Sequence, residues 1–243
     1  MKFTGENVQI SRNAKVGKNV RIGDHSVIYD NVEIGDDSII GNHCIIGEPT
    51  SDYYSNTEYS NSKTIVGTNA LIRSHAIIYS DVHIGDNFET GHRITIREGS
   101  RIGNKCKIGT NSDLQGHLTI GNHCQLHSSV HICQHSMLGN YVFIYPYVVL
   151  TNDKYPPSEK VLGPTIGDFT QIGVHTVIMP AINIGNNCLI GANSCVTRDF
   201  ESLSFIVGNP AKRVSSVEEI KSDEGEAMYP WKSRFSRDMP WEA

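Results

Sequence analysis

The chain contains 243 residues, of which 38% are hydrophobic and 22 are glycine. Its 21 basic and 26 acidic residues leave a net charge of −5, so no overall positive field attracts nucleic acid or an anionic membrane. No segment approaches the ~20 consecutive apolar residues of a membrane span, and the N-terminus has no apolar run of signal-peptide length. We therefore expect a cytoplasmic protein that binds no nucleic acid and has no membrane span.

An aliphatic residue recurs at every sixth position along most of the chain. The first run of these anchors contains Ile10, Val16, Ile22, Ile28, Ile34, Ile40 and Ile46. The second run contains Val66, Ile72, Ile78, Ile84, Thr90, Ile96, Ile102, Ile108, Leu114, Ile120, Leu126, Ile132, Leu138, Ile144 and Leu150. The third run contains Ile166, Ile172, Ile178, Ile184, Ile190 and Val196. Thr90 alone breaks the aliphatic rule.

A six-residue step fits neither a helix of period 3.6 nor a simple alternating strand, but it fits a short strand and a turn, repeated. Three such units close a triangular coil, with the anchor and the small residue four positions later pointing inward. About nine coils, stacked at the strand spacing of ~4.8 Å, give a prism roughly 40–45 Å long. The sequence thus predicts an all-β, parallel β-helix over residues 1–212, with loop excursions at 47–64 and 151–165.

The cysteines follow the same repeat. Cys44, Cys106, Cys124 and Cys188 each lie four residues after an anchor, at the small inward position. No Cys-x-x-Cys pair is followed by a second such pair, as a zinc ribbon requires. We expect these four cysteines to be reduced core residues, with Cys106 stacked on Cys124, and we expect no metal site.

Short motifs along the repeat carry a resemblance to a known family. Residues 34–39 read IGDDSI, residues 184–189 read IGNNCL and residues 206–212 read IVGNPAK. Together they resemble the hexapeptide-repeat acyltransferase superfamily, over residues 8 to about 213. The resemblance implies a left-handed coil, acetyl-CoA as cosubstrate and a homotrimer with three active sites between neighbouring prisms. The run VLTNDKYP, beginning at Val149, resembles the subgroup that N-acetylates nucleotide-linked amino sugars for surface polysaccharides.

The eighteen-residue period places candidate catalytic residues on one edge of the prism. His117, His135 and Asp153 each lie three residues after an anchor, one coil apart. Both loop excursions leave from the same edge if the first one replaces a single turn. Long loops on a rigid scaffold are where function concentrates, so we expect the active site near this edge.

Acetyl transfer needs a group that accepts the proton of the attacking amine or hydroxyl. His131 occupies an outward position on a flat face, one coil from Asp113, and a carboxylate there would orient the imidazole and raise its basicity. Related acyltransferases place a catalytic histidine five residues before the glycine of the next step, where this chain has Gln134, followed by His135. His131 and His135 therefore remain rival bases, and a third reading has no protein base.

The remaining site residues follow from the loops and the resemblance. The candidates for substrate binding are His117, His127, Asp113, Gln134, Asn152, Asp153, Lys154 and Tyr155. The tyrosine-rich segment 51–59 either stacks on a nucleotide base or forms a mobile flap. For CoA, Gly173, Gly191 and Ala192 leave the backbone open to pantetheine amides, and Lys212 and Arg213 reach its phosphates. No metal is required.

Residues 213–243 leave the repeat, and we expect a partly helical or irregular tail. Its aromatic residues Tyr229, Trp231, Phe235 and Trp241 are expected to pack on a neighbouring prism or over the last coil. Three other functions stay open. They are an O-acetyltransferase acting on a sugar or antibiotic hydroxyl, a zinc-dependent β-helical carbonic anhydrase, whose pair of histidines five residues apart is absent, and a non-catalytic scaffold.

Overall fold

The structure, a computed structural model, describes residues 4–229. Its first strands are β1 (Gln9–Ile10), β2 (Lys15–Val16), β3 (Arg21–Ile22), β4 (Val27–Ile28), β5 (Val32–Ile34), β6 (Ile39–Ile40), β7 (Ile45–Glu48), β8 (Thr64–Val66), β9 (Leu71–Ile72) and β10 (Ile77–Tyr79). The middle strands are β11 (His83–Ile84), β12 (Glu89–Thr90), β13 (Thr95–Ile96), β14 (Arg101–Ile102), β15 (Lys107–Ile108), β16 (Asp113–Leu114), β17 (Thr119–Ile120), β18 (Gln125–Leu126), β19 (His131–Ile132) and β20 (Met137–Leu138). The last are β21 (Phe143–Ile144), β22 (Val149–Leu150), β23 (Thr165–Ile166), β24 (Gln171–Ile172), β25 (Val177–Ile178), β26 (Asn183–Ile184), β27 (Leu189–Ile190), β28 (Cys195–Val196), β29 (Ser204–Val207) and β30 (Lys212–Ser216).

The strands stack into three sheets that form the three faces of a prism. Sheet I contains every third strand from β1 to β28, sheet II every third strand from β2 to β26, and sheet III every third strand from β3 to β27, followed by β29 and β30. All neighbours pair in parallel except β29 and β30, which are antiparallel. The chain visits sheets I, II and III in turn, so the prism has three edges, which we name I/II, II/III and III/I. The predicted parallel β-helix is confirmed and is consistent with a left-handed coil.

Coil stacking keeps the register predicted across the first loop. Ile46 pairs with Ile78, and Ile78 pairs with Ile96, so the gap between β7 and β8 changes no phase. The second gap, between β22 and β23, also connects sheet I to sheet II. Both long loops therefore leave from edge I/II, as the arithmetic of the repeat predicted.

The turns share one backbone conformation. In most turns the third residue after the anchor has a positive φ, as in Asp37 (59°), His117 (47°) and Tyr141 (57°). Asn, Asp and His adopt this left-handed region more readily than other non-glycine residues. The residue just after the anchor is often glycine because the next coil lies so close: a Cβ on Gly121 would lie 2.6 Å from the carbonyl oxygen of Gly139.

One continuous core fills the prism. The anchors are almost fully buried from Ile22 onward, whereas Ile10 and Val16, in the first described coil, are 42% and 39% exposed. Thr90 is also buried, and its hydroxyl accepts a hydrogen bond from the backbone N–H of Arg73 at 2.9 Å. A hydroxyl at this anchor is therefore satisfied rather than misplaced.

The four inward cysteines are buried, as predicted. The Cys106 thiol donates to the carbonyl of Gly121 at 3.0 Å, and that of Cys124 to the carbonyl of Gly139 at 3.0 Å. The hydrogen bond with Cys106, together with burial, raises the pKa of Cys124. Burial also raises the pKa of the Cys44 and Cys188 thiols. A protonated, buried thiol is unreactive, so Cys44, Cys124 and Cys188 serve as core packing.

The segment after the repeat contains β30, a short 3₁₀ helix at Val217–Glu219 and a bridge between Lys221 and Ala227. Ser216 caps the 3₁₀ helix in a capping box with Glu219. The predicted roles of Trp231, Phe235 and Trp241 lie outside the described residues.

The adjacent residues Ile120 and Thr119 in β17 provide a matched test of the inward and outward positions. Ile120 is 1% exposed, whereas the Thr119 side chain faces solvent. Ile120→Ala should lower the free energy of unfolding by about 2–5 kcal/mol through lost burial and a cavity, and Thr119→Ala should change it by less than about 0.5 kcal/mol. Guanidinium denaturation followed by circular dichroism measures both. Similar losses for the two variants would contradict the assigned inward direction.

Candidate functional site

A histidine and an aspartate face each other on the outer surface of sheet I. Asp113 in β16 pairs in register with His131 in β19. Nδ1 of His131 lies 3.2 Å from Oδ2 of Asp113, and the two side chains are 33% and 43% exposed. The carboxylate favours the tautomer that carries its hydrogen on Nδ1, so that Nε2 presents a lone pair to a substrate. The two residues therefore meet across one coil spacing, as the sequence predicted.

The Asp113–His131 pair lies in a polar patch between apolar ends of sheet I. Thr95 precedes Asp113 in the same outward row. Apolar side chains occupy this row on both sides, including Ile77 toward the N-terminus and Val149 toward the C-terminus, and both are partly exposed. The titratable pair thus lies between half-exposed apolar residues on one flat face.

Edge I/II holds the second histidine pair. The rings of His117 and His135 stack with centroids 5.9 Å apart, and both residues adopt a positive φ, 47° and 64°. Asp153 was predicted to continue this column, but its carboxylate is engaged within the second loop, where it accepts hydrogen bonds from Ser158 at 2.7 and 2.8 Å and from the N–H of Tyr155 at 3.0 Å. Asp153 therefore orders the loop that begins beside His135.

The second loop contacts the histidine edge near its start and near its end. Near its end, a Cβ on Gly163 would lie 2.4 Å from the backbone carbonyl carbon of His135. The side-chain amide of Asn152 donates to the carbonyl of Gln134 at 3.5 Å. Farther out, the Lys154 ammonium lies 5.6 Å from the ring centroid of Tyr155, which is 75% exposed. The predicted substrate residues of this loop therefore surround edge I/II rather than sheet I.

His127 lies on a different edge from His135. It follows β18 on edge III/I, where its ring stacks on that of Tyr145 with centroids 5.3 Å apart and planes within 4°. Phe143 contacts the same ring at a tilt, also at 5.3 Å. The predicted histidines therefore do not gather into one cluster: His127, His131 and His135 span sheet I from edge to edge.

The residues predicted to bind CoA differ in what holds them in place. A Cβ on Gly173 would lie 2.6 Å from the backbone nitrogen of Ala192, and one on Gly191 would lie 2.5 Å from a methyl group of Val207. Coil packing alone therefore explains both glycines. Lys212 and Arg213 are exposed at the start of β30, where they present cations just past the last coil. Their charge and exposure fit the phosphates of CoA.

Sequence reasoning missed an aromatic column on edge II/III. The rings of His123, Tyr141 and Phe169 stack with centroids 4.5 and 4.9 Å apart, and Tyr229 packs against Tyr141. Each ring of the column lies three residues after an anchor and so shares the positive φ of the turns. The eighteen-residue period would have revealed the column had aromatic residues been aligned as the histidines were.

The described part of the chain was searched for groups of metal ligands and for membrane-spanning helices. In residues 4–229, no group of three or more His, Cys, Asp or Glu side chains is placed to hold a metal ion. None of the helices described there has the length and hydropathy to cross a membrane.

A family model built on six-residue repeats matches two segments of the chain. The model of the bacterial transferase hexapeptide, a family of six repeats, matches residues 13–48 and 163–198. These two segments match the hexapeptide-repeat model, and the same six-residue strand spacing continues between them. Its fold is similar to that of the UDP-N-acetylglucosamine acyltransferases from Campylobacter jejuni and Arabidopsis. The first comparison has 21% identity, a TM-score of 0.55 and coverage of 97% of this chain and 79% of the other. The second has 17% identity, a TM-score of 0.61 and coverage of 86% and 73%.

Curated relatives match this chain over short segments. The bifunctional protein GlmU of Methanococcus maripaludis is 41% identical over 61 residues, 25% of this chain and 15% of the relative. A chloramphenicol acetyltransferase of Klebsiella aerogenes is 39% identical over 56 residues, 23% of this chain and 27% of the relative. The chain thus spans less than a third of the length of these two relatives.

The base of the first loop is held by one charged side chain. The carboxylate of Glu33 in β5 forms two ion pairs. One is with the ammonium of Lys15 at 2.7 Å, and the other is with that of Lys63, near the end of the loop, at 2.8 Å. The hydrogen bonds from Lys15 and Lys63 lower the pKa of Glu33 to about 2. Because the pKa is lower in the folded state, the stabilisation is present above the ordinary value of 4.5 and is lost as the pH falls toward about 2.

We expect an NMR titration of the Glu33 carboxyl to give a pKa of about 2 in the intact chain. Lys63→Gln should move that pKa upward, toward the ordinary value, because one of the two ammonium groups is removed. Lys18→Gln, which changes a nearby lysine outside this ion pair, is the control and should leave it unchanged. A Glu33 pKa near 4.5 in the intact chain would show that Lys63 does not hold the loop in solution.

Proposed function

We propose that this chain is an acetyl-CoA-dependent N-acetyltransferase that acts on a nucleotide-linked amino sugar, with His131 as its general base. The observation that carries the proposal is the Asp113–His131 pair, exposed on a flat face of a hexapeptide-repeat prism. The edge beside it carries both long loops. The similarity to acetyltransferases over short segments and the fold shared with acyltransferases support the reaction class.

In the proposed reaction the acceptor amine attacks the thioester carbonyl of acetyl-CoA. As the N–C bond forms, Nε2 of His131 takes a proton from the amine, and the C–S bond breaks to release the CoA thiolate, which is then protonated. Asp113 holds the Nδ1 hydrogen and stabilises the imidazolium that forms. Asp113 is thus a positioning residue and His131 the residue that moves the proton.

His135, the rival base, has a structural reason to be histidine. It occupies the left-handed turn position, which favours Asn, Asp and His, and its ring stacks on His117. His131 lies in a strand, where backbone conformation makes no such demand, and it has a carboxylate partner. We therefore assign the base to His131 and substrate contact to His135.

The cosubstrate and assembly follow the same proposal. Lys212 and Arg213 supply cations for the CoA phosphates at the C-terminal end of the prism. A homotrimer would place the exposed face of sheet I in a cleft between prisms. Synthesis of a surface polysaccharide and a cytoplasmic location stay predictions, and no step of the mechanism calls for a metal.

An O-acetyltransferase is the second candidate. A hydroxyl is much less nucleophilic than an amine and depends more strongly on a base, and the Asp113–His131 pair supplies one. The same residues would then act on a sugar or antibiotic hydroxyl. A non-catalytic scaffold differs from both because it would bind no CoA.

We expect His131→Gln to lower kcat by about 10²–10⁴-fold, the usual contribution of a general base. His135→Gln removes the rival base, to which we assign substrate contact only, and should lower kcat by less than about tenfold. The assay incubates the full chain with acetyl-CoA and UDP-, dTDP- and GDP-linked amino sugars, follows CoA release with a thiol reagent and measures product mass. Calorimetric titration with CoA shows whether each variant keeps its binding site.

An acetyl mass gain on an amine acceptor, abolished in the His131 variant alone, supports the proposal. Equal turnover by His131→Gln and the unaltered chain would remove the general base from the mechanism. Release of CoA with hydroxyl acceptors alone would favour O-acetylation. Failure of the unaltered chain to bind CoA would favour the scaffold.

A further inference from the structure

A notch interrupts edge III/I beside the proposed active face. Four residues one coil apart follow the anchors along this edge: Arg73, Gly91, Gly109 and His127. They line a cavity of about 270 Å³. The two glycines place no side chain between Arg73 and His127, which are separated by three coils, or roughly 14 Å. The notch is therefore a gap at the two glycines, with the side chain of Arg73 at one end and that of His127 at the other.

The close approach of coils keeps the floor of the notch bare. A Cβ on Gly91 would lie 2.3 Å from the backbone nitrogen of Thr110, and one on Gly109 would lie 2.4 Å from the backbone of His127. The floor of the notch also contains Thr90, the anchor that broke the aliphatic repeat. Its hydroxyl accepts a hydrogen bond from the backbone N–H of Arg73. The one anchor that is not aliphatic therefore lies at the notch.

Cations line the wall of the notch that belongs to sheet III. The Lys107 ammonium lies 2.5 Å from Glu89, and the Arg73 guanidinium lies 3.8 Å from the same carboxylate. Two cations and one carboxylate leave a local excess of positive charge in a chain whose net charge is −5. With a single long contact to Glu89, the guanidinium retains donors for a ligand, and side chains that are about half exposed remain accessible to it.

Neutral donors and a ring complete the walls. Gln125, Thr110 and Ser128 add an amide and two hydroxyls to the lining. At the far end His127 is braced by the Tyr145 ring stacked behind it. A site with two cations, several neutral donors and one braced ring suits a phosphorylated polar ligand rather than an apolar one.

We propose that the notch binds the diphosphate of a nucleotide, with Arg73 and Lys107 as its anion-binding residues. This deepens, and rests on, the proposed function, because a nucleotide-linked amino sugar carries its diphosphate next to the sugar. His127 and His131 are four residues apart, so the chain between them spans at most about 14 Å. The His127 end of the notch therefore adjoins the Asp113–His131 pair across edge III/I, so the sugar of a nucleotide bound in the notch would extend from this end toward the pair.

CoA also contains a diphosphate. The position of the notch along the prism indicates whether the diphosphate bound there belongs to the acceptor nucleotide or to CoA. The coils that form the notch run from Arg73 to His127, whereas Lys212 and Arg213 lie beyond the last coil at the other end of the prism. The notch and the CoA candidates therefore lie on opposite sides of His131 along the prism axis. This order assigns the notch to the acceptor's diphosphate and the distal cations to CoA.

The test is calorimetric titration of the full chain with UDP, inorganic pyrophosphate and CoA. Arg73→Gln and Lys107→Gln should each weaken binding of UDP and pyrophosphate by about tenfold, since each removes one charge-assisted contact. Arg93→Gln is the matched control: Arg93 lies on the same edge, donates to Asn111 at 3.0 Å and does not line the notch. It should leave the affinity for every probe unchanged.

Unaltered affinity for UDP in the Arg73 and Lys107 variants, or an equal loss in the Arg93 variant, would overturn the proposal. Weaker binding of CoA alone would assign the notch to the cosubstrate and overturn the acceptor assignment. A higher KM for the amino-sugar nucleotide at unchanged kcat in the Arg73 variant would support the assignment of the notch to the acceptor's diphosphate. Failure of acetyl transfer with every acceptor, alongside a tenfold loss of UDP affinity, would refute the proposed function while leaving the notch as a diphosphate site.

Discussion

The stacking of successive coils constrains everything else in this molecule. Each two-residue strand is too short to be stable alone, so it depends on parallel hydrogen bonds to the coils before and after it. That dependence fixes an eighteen-residue register and a common turn, in which the third residue after the anchor takes a positive φ. Residue choice on the edges is therefore decided first by backbone conformation and only then by chemistry.

The common turn changes how the histidines are interpreted. Seven of the eleven occupy a positive-φ position, and their abundance there follows from the turn. His25, His43 and His75 illustrate this, because they stack in one column at 5.0 Å spacing and need no ligand to explain them. His127 and His131 belong to the four that the turn does not explain. The turn conformation thus accounts for the column of His25, His43 and His75 but not for His127 and His131.

Much of the fold could be predicted from the sequence, because a fixed period converts residue numbers into positions. The register across the first loop, the shared edge of both loops and the Asp113–His131 contact all follow from counting in steps of six and eighteen. Side chains with freedom to turn away were harder to predict. Asp153 was predicted to continue the row of His117 and His135, but its carboxylate accepts hydrogen bonds from Ser158, because a loop offers nearer partners than the next coil does.

The notch escaped prediction for a different physical reason. Its defining residues, Gly91 and Gly109, look like ordinary turn glycines, and coil packing requires them as it does many others. What distinguishes them is that Arg73 and His127, one coil beyond each, have side chains at the same turn position. A missing side chain becomes a cavity only when its neighbours in the next coils are present, so the signal lies between repeats rather than within one.

Placing the notch and the Asp113–His131 pair on adjoining surfaces suggests a division of labour along sheet I. The polar centre of the sheet carries a histidine–carboxylate contact within ion-pair distance, that of His131 with Asp113. Edge III/I offers cations, and edge I/II offers loops that are polar and rich in hydrogen-bonding groups. A long, anionic acceptor needs both a charged anchor and a reactive centre, at a fixed separation. A rigid solenoid supplies that separation because its coils cannot shift without breaking the register that stabilises them.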